Sequence, residues 1–563
     1  MQLFDGIQIL LFIGVGLGCV PLFGSYMAKV FRGEITWMHH LLQPLEKLSY
    51  QLTGVNPQLE MGWKSYLRAM LLFNLVGILI LFVDQLMQHV LPFNPQNFEA
   101  VSWDVALNTA ISFVTNTNWQ AYSGETTLSY GTQMWGLTVQ NFLSAATGNA
   151  ALLALVRGIV KKEGETVGNF WVDLVRTVVY VLLPCAFILA LLLIGQGVVQ
   201  TLSPYLSVTT LEKSVQILPF GPAASQVAIK QLGTNGGGFF GTNSAHPFEN
   251  PTPLSNFLEV LAIVILPASA TYMYGVLTGR RRHGWLLLCV MFLFWAGTLA
   301  LSLYSENVEN PLFKTKPLLE GKETRLGVAH SILWSVTTSA TSNGSVNTML
   351  DSLSPLAGGA ALFNILLGEL IFGGVGVGLC SMLMFVLLTI FLSGLMVGRT
   401  PEYMGKKIGK LEMQWVSAAI LVPGALILIG ASLASLLPSA LASLKNQGPH
   451  GLSELLYAFA SSSGNNGSAF SGLNADLLFY NLILACIMLL ARLAILVPSL
   501  AIAGCLVRKR AAPLSKAIFS TETFLFATLL VGVVFIVGAL TFFPALCLGP
   551  IVEHFLMKEG VSF

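Results

Sequence analysis

The chain has 563 residues, of which 54% are hydrophobic and 10% charged, and its net charge is +2. An ordinary soluble domain carries about 25% charged residues, so this composition excludes a water-soluble fold, and the near-neutral balance gives no sign of a nucleic-acid surface. Apolar runs of about 20 residues recur, long enough to cross a bilayer as helices, whereas the short alternating strands of an outer-membrane barrel are missing.

The predicted fold class is an all-α polytopic membrane protein. Ten spans are expected, near 5–31, 65–91, 131–157, 170–196, 254–278, 284–304, 357–397, 413–437, 475–507 and 520–547. The first run is too long and too weakly basic at its start for a cleaved signal peptide, and reads as a span. The seventh and ninth exceed a straight crossing, so tilt, bending or extension past the bilayer is expected. Four shorter apolar pieces, 103–114, 222–232, 327–338 and 452–461, cannot cross and read as re-entrant helices. All seven cysteines sit within or at the ends of apolar runs without a CxxC pair, which argues for buried small residues rather than disulfides or zinc.

Lys and Arg concentrate in alternate connections: Arg32, Lys47, Lys64 and Arg68; Arg157, Lys161, Lys162 and Arg176; Arg280 to Arg282; Arg399, Lys406, Lys407 and Lys410; Arg508, Lys509, Arg510 and Lys516. By the positive-inside rule these face the cytoplasm and both termini face outward. The resulting plan is a leading span (1–31), four span–re-entrant helix–span units (61–160, 168–279, 284–398, 411–508) and a trailing span (518–563), the units arranged around a central filter. The external insertion 305–326 reads as a surface loop or a docking site.

Each re-entrant piece ends at a polar frame: VTNTNWQ (114–120), GTNGGG (233–238), TSNGSV (341–346) and GNNGSA (464–469). Three carry Asn-Gly pairs, Asn235-Gly236, Asn343-Gly344 and Asn466-Gly467; the first carries Asn118-Trp119, with Trp119 in the glycine's place. The asparagine spacings of 117, 108 and 123 residues suggest fourfold repetition. An isolated Asn-Gly pair is a hairpin-turn signal, but four at matched positions on one face read as walls of one ion site. Backbone carbonyls held by Gly and Asn, with no acidic side chain, favour a monovalent cation over calcium or magnesium, and helix C-termini aimed at the site add favourable dipoles.

Charged residues within the apolar runs are costly and usually functional. Glu369 and Arg492 form a plausible buried pair below the filter, either fixing helix register or lining an exit; Glu259 and Asp84 also lie in spans. Gly373, Gly374, Gly376 and Gly378 interrupt the seventh run, either for close packing or as an unwound gate that blocks straight-through conduction. No GxxxxGK[ST] phosphate loop or DKTG motif occurs, GKET at 321–324 failing the former. The histidines form no metal constellation.

The topology and loops resemble the superfamily of potassium transporters built from four channel-like units. More narrowly, the chain resembles the KdpA family, the potassium-binding subunits of the bacterial high-affinity P-type potassium-pumping ATPase. The most specific segments are QLGTNGGGFFGTNSAHPFENPTP (231–253) and VGRTPEYMGKKI (397–408). The resemblance implies a non-catalytic subunit of the bacterial inner membrane that captures external potassium. Its filter maps to Thr117, Asn118, Thr234, Asn235, Gly236, Ser342, Asn343, Gly344, Asn466 and Gly467, with Gln120 near the entrance. It further implies an intramembrane exit near Glu369 and Arg492, a contact at Arg399 with the catalytic ATPase subunit, and small accessory membrane subunits. Other readings are a gradient-driven symporter or channel of the same fold and, remotely, an intramembrane enzyme using Glu369, Arg492 and HPFEN (246–250).

Overall fold

A computed structural model describes residues 3–312, 314, 316–511 and 520–561. Lys516, residues 518–519, and positions 313 and 315 of the external insertion lie outside the described residues.

Among the described residues, ten helices are long and apolar enough to cross a membrane. They run Phe4–Arg32, Trp63–Met87, Thr132–Val160, Phe170–Gly195, Pro253–Leu277, Arg281–Asn307, Val377–Met396, Lys410–Leu436, Leu478–Val507 and Phe524–Lys558. Their burial separates a centre from a rim. The third and fifth are 83% and 72% buried over their most apolar stretches, whereas the first, second and tenth are 17% buried. The rim helices therefore present apolar side chains to lipid, which solvates them without cost. The first span packs along the fifth, the ninth against the third, and the eighth against the ninth.

The four short helices are Trp103–Val114, Ala223–Leu232, Val328–Thr341 and Gly448–Ser463. At 1.5 Å per residue each is too short to cross. Each stops where the chain enters a left-handed backbone conformation one or two residues later, at Asn116, Thr234, Ser342 and Asn465.

The seventh run departs from a single long span. It forms two helices, Pro355–Leu366 and Val377–Met396, separated by ten non-helical residues. Positive φ at Gly368, Phe372, Gly373 and Gly376 (+69°, +62°, +63° and +81°) is incompatible with helix continuation. The ninth run is one 30-residue helix that contains Pro498.

Between the first and second spans lies a 15-residue helix, His39–Thr53, that apolar-run counting overlooks because its leucines fall on one face. Leu41, Leu45, Leu48 and Leu52 are exposed, while Glu46 is buried and held by Arg176 (2.9 Å) and the Tyr180 hydroxyl (2.7 Å). The basic connection after the seventh span is anchored similarly. Lys406 is buried, and its Nζ donates to the carbonyls of Gly158 (2.8 Å), Lys161 and Leu506 (2.7 Å), near the C-terminal ends of the third and ninth spans. A helix C-terminus carries partial negative charge, so a cation there is well placed. Arg399 in the same connection is exposed.

Candidate functional site: a ring of four loops

The four polar loops share one backbone pattern. A left-handed residue (Asn116 +67°, Thr234 +52°, Ser342 +58°, Asn465 +45°) is followed two positions later by a second (Asn118 +56°, Gly236 +88°, Gly344 +82°, Gly467 +93°). Left-handed backbone is unfavourable for residues other than Gly, Asn and Asp, most of all for a β-branched one such as Thr234. Strain of this kind persists only where surrounding structure enforces it, and it clusters at functional sites.

The pattern corrects the alignment of the first loop. Thr117 corresponds to Asn235, Asn343 and Asn466, and Asn118 corresponds to the glycines. Trp119 therefore stands opposite Gly237, Ser345 and Ser468 rather than replacing a ring glycine. The physical reason is that asparagine tolerates left-handed backbone nearly as glycine does. An asparagine can thus occupy either role, and a dipeptide search selects the wrong one.

The joints between loops confirm this register. A Cβ added to Gly236 would lie 1.6 Å from the Asn343 carbonyl oxygen, one on Gly344 2.0 Å from that of Asn466, and one on Gly467 2.1 Å from that of Thr117. Three of the second left-handed residues thus pack on the central carbonyl of the next loop, linking loops two, three, four and one in that order. At the remaining joint, between loops one and two, Asn118 has a side chain and its neighbour gives way: Gly237 lies where a Cβ would be 2.8 Å from that of Asn118.

Side chains brace the same joints. Asn116 Nδ2 donates to the Thr234 carbonyl (2.9 Å), and Asn116 Oδ1 accepts from Asn235 Nδ2 (2.6 Å). Ser342 Oγ donates to the Asn465 carbonyl (2.9 Å), and Asn465 Nδ2 donates to Thr117 Oγ1 (2.9 Å). Asn343 and Asn466 each reach back to a carbonyl of the preceding quarter, Lys230 at 3.2 Å and Thr338 at 2.8 Å. Gln120 clasps the Gly238 backbone, accepting from its N–H (2.9 Å) and donating to its carbonyl (3.2 Å).

The unwound segment lies directly against these loops. The Val375 N–H donates to Thr234 Oγ1 (3.0 Å), and a Cβ on Gly374 would be 3.3 Å from a Glu369 carboxylate oxygen. Gly376 and Gly148 allow the segment to touch the third span, where added Cβ atoms would lie 2.5 Å from Asn149 Cα and 2.7 Å from the Val375 carbonyl. Gly378 likewise admits the Phe372 carbonyl. Glu369 pairs with Arg492 at 3.1 Å, both buried. A cavity of about 80 Å³ bordered by Gly368, Glu369, Ser463, Gly464 and Asn465 extends to Thr541 of the tenth span. It shares Leu366, Leu367, Gly538 and Phe542 with a second space of about 310 Å³.

The structure thus brings Thr117, Asn118, Thr234, Asn235, Gly236, Ser342, Asn343, Gly344, Asn466 and Gly467 into one ring, with Glu369 and Arg492 beside it. Arg399 lies apart, on a basic connection. Asp84 sits near Gly136, and Glu259 accepts from Gln231 Nε2 (3.0 Å). Sequence reasoning missed Asn116, which braces the first joint, and Lys230, fully buried with Glu249 behind the second loop. A charged residue inside a short apolar helix was the available signal for Lys230.

These features define a polytopic helical membrane protein of four pseudo-repeated units whose re-entrant helices deliver loops to a common centre. A family model described as "Potassium-transporting ATPase A subunit" (KdpA) matches residues 10–555, and the chain belongs to that family. It is 51% identical to the potassium-transporting ATPase potassium-binding subunit of Leptospira interrogans (serovar copenhageni), covering 99% of this chain and 100% of the relative. The subunit of that name from Rhodospirillum centenum is 52% identical, with 99% and 98% covered. In fold the chain resembles the potassium transporter TrkH of Vibrio parahaemolyticus, with a TM-score of 0.50 and 15% identity over 88% of this chain and 97% of that one.

Proposed function

We propose that the chain captures external potassium at the four-loop ring and passes it sideways, beneath the ring, to the catalytic subunit of a P-type potassium-transporting ATPase. The observation that carries this reading is the set of joints in which Gly236, Gly344 and Gly467 meet the Asn343, Asn466 and Thr117 carbonyls. Backbone oxygens held that rigidly can replace the hydration shell of a weakly hydrated monovalent cation. Potassium is the transported substrate, not a resident cofactor, and ATP is hydrolysed by the partner.

The 367–376 segment acts as the barrier to straight-through conduction, and the cavity beside Glu369 is the start of the lateral route. Arg399 and its basic connection contact the ATPase subunit on the cytoplasmic side, and small accessory membrane subunits complete the complex. The protein resides in the bacterial inner membrane with both termini outside. Membership of the potassium-transporting ATPase A-subunit family supports the pairing with an ATPase.

The test is co-purification with the ATPase subunit followed by potassium-stimulated ATP hydrolysis. Sustained uphill potassium uptake by the purified chain alone, in liposomes without any ATPase, would overturn the complex in favour of a self-sufficient transporter.

A further inference from the structure

The ring register exposes an inequality between the quarters. Five residues before the central residue of each loop stand Ser112, Lys230, Thr338 and Ser461, and the carbonyl of each accepts from that central N–H: Thr117 (2.8 Å), Asn235 (2.9 Å), Asn343 (3.4 Å) and Asn466 (2.9 Å). Three quarters have a small hydroxyl side chain there; the second has a fully buried lysine. A buried ammonium needs a built environment, and one is present. Lys230 forms an ion pair with Glu249, itself fully buried, and donates to Asn243 Oδ1 (2.8 Å). Asn243 then donates from Nδ2 to the carbonyl of Gly236 (2.8 Å).

We infer that Lys230, Glu249 and Asn243 form a relay that positions the Gly236 carbonyl and thereby sets ion discrimination in the second quarter of the ring. The orientation of the Asn243 amide follows from the relay. Lys230 can only donate, so it draws the amide oxygen toward itself and leaves the amide N–H₂ facing Gly236. The ion pair with Glu249 holds Lys230 in place and offsets its buried charge. Lys230 also acts through its backbone, whose carbonyl accepts from Asn343 Nδ2 of the third loop. One residue thus braces two walls. Held by Asn243, the Gly236 carbonyl cannot swing inward to embrace a smaller cation. A released carbonyl can, which narrows the gap between potassium and sodium. These are positioning residues, because they act through Gly236 and not on the ion.

This inference rests on the potassium reading above, and its test separates the two. The purified full chain is titrated with potassium chloride and, separately, sodium chloride, and the rise in unfolding temperature gives an apparent affinity for each ion. Asn243→Asp is the diagnostic variant, because it keeps an acceptor for Lys230 but removes the donor to Gly236. It should lower the ratio of potassium to sodium affinity about tenfold, as expected for loss of one hydrogen bond. Asn243→Ala should do the same, and the double variant Lys230→Met/Glu249→Gln, which removes both charges together, should follow. A purely structural role would lower the unfolding temperature without salt and leave the ratio unchanged, and that result overturns the relay. An unsubstituted chain that does not respond to potassium overturns the potassium reading and the relay with it.

Discussion

Gly236→Ala is the sharpest perturbation of the ring. Two costs combine at this position. The φ of +88° is strained for any side chain, at about 1–3 kcal/mol, or roughly 5- to 150-fold in an equilibrium. The added Cβ would also lie 1.6 Å from the Asn343 carbonyl oxygen, against a floor of 3.0 Å that real Cβ atoms respect. The second and third walls must therefore part by about 1.4 Å, in a fold whose interior packs too tightly to absorb such a shift locally. The loop relaxes to a geometry that does not bind, and binding must pay the strain back. The expected loss of potassium affinity is at least about 100-fold. Gly297→Ala in the sixth span is the control, since nothing lies within 4 Å of its added Cβ. The assay is potassium-dependent thermal stabilisation of the purified chain, repeated as potassium-stimulated hydrolysis in the complex. An affinity for Gly236→Ala within about threefold of the unsubstituted protein would refute the ring geometry.

Other perturbations address separate parts. Arg492→Met strands Glu369 in a buried site and should destabilise the fold by about 3–5 kcal/mol, most of it recovered on adding Glu369→Gln; denaturation of the single and double variants measures this, and equal losses would exclude the pair. Shortening the 373–376 segment should raise passive potassium conductance in liposomes, and an unchanged leak would remove the barrier reading. Gly237→Ala should weaken potassium binding by crowding Asn118, and Asn118→Gly should recover part of that loss in the same binding assay; no recovery would break the joint between loops one and two. On the face that receives the external insertion, His450 is clamped by Asp351 and Glu553, each at 2.8 Å. Burial alone would lower the imidazolium, but the two carboxylates raise it from 6.5 to about 10. Its stabilisation is full below pH 6.5 and lost as pH rises through 10. His450→Gln should therefore lower the unfolding temperature at mildly acidic pH, with the gap closing in strong alkali; a gap independent of pH would discount the clamp.

Most of the architecture was legible because membrane crossing is a constraint on length and polarity. A 27-residue apolar stretch such as Arg281–Asn307 has no other use, and a 10-residue helix such as Ala223–Leu232 cannot span, so both announce themselves. The break at 367–376 was legible only as a glycine run, since Leu370, Ile371 and Phe372 are as apolar as the helices on either side. What hides there is a backbone conformation, which composition does not encode. The helix His39–Thr53 escaped for a related reason: its leucine face is diluted by a polar face, so it lacks the uniform run that marks a span. Lys230 was passed over because a single charge barely alters the hydropathy of its helix, and its meaning depends on knowing which residues are fourfold equivalents.

That equivalence turns on one residue. With Asn118 matched to Gly236, Gly344 and Gly467, the first quarter differs from the others by having a side chain at the joint, and the second differs by supplying Gly237 opposite it. The two departures are complementary, because the small residue at this joint is supplied by the second loop. Lys230 adds a second departure on the same side of the ring, where the Gly236 carbonyl is held by Asn243. Gly237 and Lys230 both belong to the second quarter, which also touches the unwound segment through Thr234 and Val375. A symmetric pore would have no reason to concentrate its exceptions on one wall. Under the proposed function such a concentration is expected, because a ring that holds an ion above a barrier needs a rigid wall where it meets that barrier.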